Sequence, residues 1–356
     1  MHGNRTMAPE WHNIDAVMLA WPHAQTDWAP WLEDARATYL NVIAAVNRND
    51  AGVILLCAPS DVDDLNSRLP ENARVLIVPA SFNDTWMRDY GFITCKDSEG
   101  NGSPVEFRFN GWGNKFNAAE DNLANQRYLA SMCKSVLRSS PIVAEGGALE
   151  IDEDGHLLST AQCLLNPERN GDMSLSAYED AFKDMLGCSK VTILQHGHLE
   201  GDDTDGHIDT LVRFTPNKGL VIQACNNRPN DSHFEGLKAL CDECALELPE
   251  HEQFHLPLPN IVNDEGDRLP ASYANYLICN NAILLPVYGE EEEEDAEAIE
   301  TVQRAHPNHI VEPIDCSVLV RQYGSLHCIS MQVPTNTLKD SIITTLKKGV
   351  SLHAPS

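Results

Sequence analysis

The chain has 356 residues, with 25 Lys plus Arg against 53 Asp plus Glu, for a formal net charge of −28. A surface this negative repels the phosphates of nucleic acid and of anionic membranes, and it suits a cationic small molecule. The eleven cysteines are odd in number and scattered, which argues against a disulfide framework and for a reducing cytoplasm. The first residues carry no apolar signal core, and no apolar run reaches the ~18 residues of a membrane span.

In chain order, apolar spacing predicts a helix at 30–47, strands at 53–58 and 73–79, a helix at 119–137, and a strand at 157–160. A helix at 175–186 follows, then strands at 191–194, 211–214 and 220–224, and a helix at 232–244. Strands at 276–278 and 282–287, a helix at 295–305, a strand at 309–313 and a helix at 337–347 complete the series. Such alternation indicates α/β architecture. No Ser/Gly-rich linker and no strict sequence repeat is present, so a single domain over 1–356 is expected. The acidic run 290–295 reads as a solvated helix start, because carboxylates favour the positive end of the helix dipole.

Five segments carry side chains suited to chemistry. In Tyr323-Gly324-Ser325-Leu326-His327-Cys328, a thiol stands beside an imidazole and after a glycine-containing turn. The other ten cysteines read as packing residues, including Cys241 and Cys244 of an isolated C-x-x-C. In Asp202–Asp209, His207 and Asp209 lie two apart, and on a strand both would face the same way. A histidine and a carboxylate projecting together can carry protons and hold a cation. A metal site using His196, His198 and His207 is the rival reading of this stretch. Asn83–Gly91 follows a predicted strand and offers Asp89 as a cation grip or as an ion-pair partner of Arg88. Trp86 there is either a pocket wall or core. Glu145 precedes Gly146-Gly147, and Trp112 sits between Gly111 and Gly113. No P-loop, dinucleotide fingerprint or G-x-S-x-G is present.

Together, Thr85-Trp86-Met87-Arg88-Asp89, Phe109-Asn110-Gly111-Trp112-Gly113, Glu145-Gly146-Gly147, Asp203-Thr204-Asp205-Gly206-His207-Ile208-Asp209 and Leu326-His327-Cys328-Ile329 occur in an order that resembles the agmatine deiminase and bacterial peptidylarginine deiminase family. Cys163-Leu164-Leu165-Asn166-Pro167-Glu168-Arg169-Asn170 and the stretch from Ala271 to Tyr276 look like it too. The resemblance implies the pentein fold, five ββαβ-like modules around a pseudo-five-fold axis, in one catalytic domain. It implies that Cys328 is the nucleophile and His207 the proton-transfer residue. Asp89 and Asp209 would hold the guanidinium nitrogens, Glu145 would pair with His207 or the substrate cation, and Trp86, Trp112 and Asp203 would line the pocket.

The implied reaction needs no metal and no cofactor, and relatives often form homo-oligomers. The implied activity converts agmatine to N-carbamoylputrescine and ammonia, a step toward putrescine. Free or peptidyl arginine is the close alternative, a metal-dependent hydrolase a distant one, and a non-catalytic binding protein a third. Two departures stand out. Tyr323-Gly324-Ser325-Leu326 replaces the Gly-Gly-Gly-Asn usual in agmatine deiminases, and Asp205 stands where those enzymes often have Asn. Both lean toward the deiminase-like bacterial branch.

Overall fold

Every residue of the apolar strand Gly52–Cys57 is buried, as required of a strand covered on both faces. In this computed structural model, which describes residues 5–289 and 292–353, it lies parallel to Ile14–Ala20 on one side and Val75–Pro79 on the other. The helix Leu32–Arg48 joins the first pair. It opens with Glu33 and Asp34 and closes with Arg48, matching its dipole. Its Ala35, Tyr39, Val42, Ile43 and Val46, spaced by three or four residues, form the buried stripe.

The described residues divide into two units. One runs to Gly146 and includes Met185–Gly187 and the chain from Cys328 onward; the other comprises Gly147–Asp184 and Cys188–His327. The first unit holds a five-stranded sheet in the order Met331–Pro334, Ile14–Ala20, Gly52–Cys57, Val75–Pro79, Ser351–Leu352. Its second sheet runs Arg5–Met7, Ile93–Asp97, Gly102–Arg108, Arg138–Val143. The second unit holds three three-stranded sheets, centred on His156–Thr160, Gly219–Gln223 and Ala282–Val287.

One pairing pattern recurs in all five sheets. A central strand pairs antiparallel with one neighbour and parallel with another. The central strands are Ile14–Ala20, Gly102–Arg108, His156–Thr160, Gly219–Gln223 and Ala282–Val287. Each parallel pair is bridged by a helical segment, as a crossover requires. Among the described residues, no helix is long and apolar enough to cross a membrane.

Most predicted elements are present within a few residues of their expected bounds, and 175–186 and 282–287 coincide with Leu175–Leu186 and Ala282–Val287. The predicted helix 119–137 is not continuous. It breaks into Asp121–Leu123, a π turn at Asn125–Leu129 and Ala130–Met132. The Asn125 side chain donates to Tyr90 O (2.8 Å) and Glu106 Oε2 (3.0 Å) and accepts from Phe92 N (2.9 Å). Such side-chain bonding competes with the regular helical ladder. Cys133 then turns extended and bridges Leu338.

The acidic run is also corrected in part. The helix is Glu292–Ala305, and Asp295 is buried rather than solvated. Its carboxylate accepts from Tyr273 Oη (2.8 Å), Tyr288 N (3.1 Å) and Gly289 N (3.0 Å). Glu290 and Glu291 lie outside the described residues.

Candidate active site

In the first unit, the strand Val75–Pro79 leads into a loop ordered by Asp84. Its carboxylate accepts from Thr85 N (2.7 Å) and from the Trp86 indole (3.1 Å). Burial pushes that carboxyl up to about 6. The short helix Met87–Tyr90 follows, with Asp89 buried on it. The Arg88 guanidinium, next to Asp89 in sequence, pairs with Glu10 (3.1 Å). Asp89 Oδ2 accepts from the Trp112 indole at 2.9 Å.

Trp112 is held by a run of left-handed backbone. Gly111, Trp112, Gly113 and Asn114 have φ of 68°, 55°, 81° and 62°. A β-carbon on Gly111 would lie 2.2 Å from Phe116 O, so glycine is required there. Asn110 Oδ1 accepts from Gly113 N (2.9 Å), and the indole packs edge-on against Phe109 and Phe116. Trp86 is buried against Trp28, with ring centroids 5.7 Å apart.

Cys328 sits in the turn 326–329 that enters the strand Met331–Pro334. Its carbonyl accepts from Arg88 N at 3.1 Å. Glu145 is fully buried at the end of Arg138–Val143, before the turn Gly146–Ala148. A β-carbon on Gly146 would lie 2.1 Å from Arg88 O. The segments bearing Asp89, Cys328 and Glu145 therefore meet at the backbone of Arg88.

All eleven cysteines are buried free thiols. For Cys57, Cys133 and Cys244, burial pushes the thiol up to about 12, which keeps it protonated and inert.

In the second unit, the loop before His207 is built on Asp202. Its Oδ1 accepts from Thr204 N (2.9 Å) and Thr204 Oγ1 (2.6 Å), and its Oδ2 from Gly206 N (2.6 Å). Asp205 and Gly206 have φ of 68° and 80°. Asp205 accepts from Asn166 Nδ2 (2.8 Å) and Arg169 Nη1 (2.7 Å), which gives the stretch around Asn166 its structural purpose. Asp203, the predicted pocket residue, is half-buried.

His207 and Asp209 are both fully buried, but not on a strand. His207 caps the 3₁₀ turn Ile208–Thr210, so alternation does not relate the two side chains. His327 Nδ1 hydrogen-bonds Asp209 Oδ2 at 2.7 Å, with both side chains sealed from solvent. Burial pushes the Asp209 carboxyl up, yet the His327 hydrogen bond and the charges of His327, His207 and Arg213 outweigh it and hold it below its ordinary value.

The rival metal set is not assembled as predicted. His196 is exposed and bonded to Glu243 (3.0 Å), whereas His207 is buried. Among the described residues, neither His196 nor His198 belongs to a cluster of three potential ligands. Cys163, read from sequence as packing, is buried, and its sulfur lies within 4.8 Å of a His207 ring nitrogen. His327 and Arg88 enter the sequence reading only as neighbours of Cys328 and Asp89, without site roles of their own. Their signal was adjacency, since each immediately precedes a candidate residue.

This α/β arrangement is the pentein fold. A substrate-bound agmatine deiminase of C. jejuni is 30% identical, covers 94% of this chain and 97% of its own, and superposes with a TM-score of 0.86. A Porphyromonas gingivalis structure provisionally assigned as an arginine deiminase is 38% identical, with 94% and 100% coverage and a TM-score of 0.86. Agmatine deiminase of Medicago truncatula is 29% identical over 368 residues, 92% of this chain and 96% of its own. The matched class is that of hydrolases acting on guanidino groups. Residues 6–334 match the Porphyromonas-type peptidyl-arginine deiminase family, and the chain belongs to it.

Proposed function

We propose that this chain is an agmatine deiminase working through a covalent thiouronium on Cys328, with all its residues serving one catalytic domain. The observation that carries the reading is the convergence of Asp89, Cys328 and Glu145 on the Arg88 backbone. A guanidinium carbon needs a carboxylate clamp beside a thiol, and this meeting of the three segments supports that pairing. That carbon is a poor electrophile because its charge is spread over three nitrogens.

Asp89 and Asp209 bind the nitrogens, localise the charge and fix the carbon ~3–3.5 Å from the sulfur. Each carboxylate is oriented by a fixed donor, Trp112 for Asp89 and His327 for Asp209. The bound cation and His207 favour the thiolate. The sulfur adds to the carbon, protonated His207 gives its proton to the departing amine, and the C–N bond breaks to release ammonia. Neutral His207 then takes a proton from water as the hydroxide adds to the carbon. The C–S bond breaks, returning thiolate and the ureido product. Glu145 pairs with His207 or with the cation, while Trp86, Trp112 and Asp203 line the pocket.

Arginine or an arginyl peptide is the second reading. The 38% identity to the P. gingivalis structure and the family's description favour it. So does the loop before the cysteine, where Tyr323-Gly324-Ser325-Leu326 departs from the Gly-Gly-Gly-Asn usual in agmatine deiminases. Rates of ammonia release from agmatine, arginine and an N- and C-blocked arginine peptide decide the matter. Agmatine is expected to be fastest; faster turnover of arginine or the peptide overturns the substrate assignment and keeps the chemistry.

A further inference from the structure

Glu10 lies far from every predicted site residue in sequence, yet it closes a buried triad with Arg88 and Gln332. Arg88 Nη1 donates to Glu10 Oε1 (3.1 Å), Arg88 Nη2 donates to Gln332 Oε1, and Gln332 Nε2 donates to Glu10 Oε2 (3.0 Å). Arg88 and Gln332 are buried, and the Glu10 side chain is 9% exposed. Arg88 Nη1 also lies 3.4 Å from Met331 Sδ. Gln332 belongs to the strand that immediately follows the Cys328 turn.

The two ends of Arg88 thus hold different things. Its side chain is fixed to the strand after Cys328. Its backbone N–H holds the Cys328 carbonyl, its carbonyl abuts Gly146, and its neighbour in sequence is Asp89. A guanidinium fork gripping two partners fixes orientation as well as distance. A buried ion pair adds little net stability, because desolvation offsets attraction.

We propose that Arg88, anchored by Glu10 and Gln332, is a positioning residue that sets the distance between the Asp89 carboxylate and the Cys328 sulfur. The inference rests on the reading of Cys328 as nucleophile and Asp89 as cation clamp. Arg88 touches no reacting atom in this account. It determines whether a cation held by Asp89 presents its carbon within reach of the thiol.

The test compares alkylation of Cys328 by chloroacetamidine and by chloroacetamide, which share a leaving group and differ in charge. Wild type is expected to react faster with the amidinium, because Asp89 holds it beside the sulfur. In Glu10→Gln and Gln332→Met, that preference falls roughly 10- to 100-fold, the usual effect of an ~1 Å misplacement. The chloroacetamide rate stays near wild type. Gln332→Met leaves Arg88 paired with Glu10, so it remains informative if Glu10→Gln fails to fold. An unchanged preference in a folded variant overturns the positioning role. Absence of any preference in wild type, or its survival in Asp89→Asn, overturns the underlying assignment of Asp89 instead, and this inference with it.

Discussion

At the scale of single residues, the molecule uses buried carboxylates in opposite ways. Asp209 is held low by its contact with His327, while burial pushes Asp84 up to about 6 and Asp121 up to about 8. Asp121 Oδ1 accepts from Asn83 N (2.6 Å) and Asp84 N (3.3 Å), so it organises the loop before Asp89. A raised folded pKa means that the folded state keeps a proton the unfolded chain has lost. Stability from Asp84 and Asp121 is therefore complete below about pH 4 and is lost as pH rises through about 6 and about 8. Asp209 works in reverse, contributing above pH ~4 and losing that contribution in acid. Asp121→Asn keeps the accepting oxygen, and we expect a flatter melting temperature between pH 5 and 9 than in wild type. An unchanged slope in calorimetry would remove Asp121 from the account.

His327 offers a sharper residue-level test. Asparagine places its amide nitrogen near the position of the histidine Nδ1, whereas leucine keeps bulk and loses the donor. His327→Leu is expected to raise KM for the guanidino substrate roughly 10- to 100-fold, the range for losing a hydrogen bond to a charged group. His327→Asn is expected to recover most of that loss. Equal KM values for the two variants would contradict the orienting role. The Asp209–His327 contact was not legible in sequence because 118 positions separate the partners, and no local pattern reports such a contact.

At the scale of elements, the sequence was most legible where apolar periodicity went unopposed. Gly52–Cys57, Leu175–Leu186 and Ala282–Val287 are of this kind. It was least legible where tertiary bonding overrides local preference. Gly102–Arg108 contains Pro104 and Glu106, which argue against a strand. Glu106 is tolerated there because Asn125, Gln126 and Ser139 all donate to it. The same donors lie in or near the segment misread as one long helix. The turn at Gly146 yields a prediction at this scale. Gly146→Ala places a β-carbon where Arg88 O lies 2.1 Å away, so backbone must move. We expect destabilisation of about 1–3 kcal/mol, typical of overpacking, with activity falling further than stability explains. Wild-type melting and turnover in Gly146→Ala would show that Glu145 and Arg88 are less tightly coupled than the geometry indicates.

For the whole molecule, alternation of helices and strands made the α/β class legible, and ordered motifs made the family legible. The fivefold recurrence of one pairing pattern was legible only through that family resemblance and not as a sequence repeat, because the modules share topology and not sequence. The net charge of −28 acts at this scale as well. On the proposed function it would attract a cationic substrate over distances that salt shortens to about 10 Å at 0.1 M. KM for agmatine is expected to rise with ionic strength while kcat changes little; a KM independent of salt would assign the acidity to solubility alone.

The central claim is that the Cys328 sulfur attacks a guanidinium carbon. Acid-quenching the enzyme during turnover of agmatine, followed by peptide mass analysis, tests it most directly. The account predicts an adduct of agmatine less ammonia on the Cys328 peptide, absent from Cys328→Ala, which is also inactive. Turnover that continues in Cys328→Ala, with no adduct on the wild-type peptide, would contradict it.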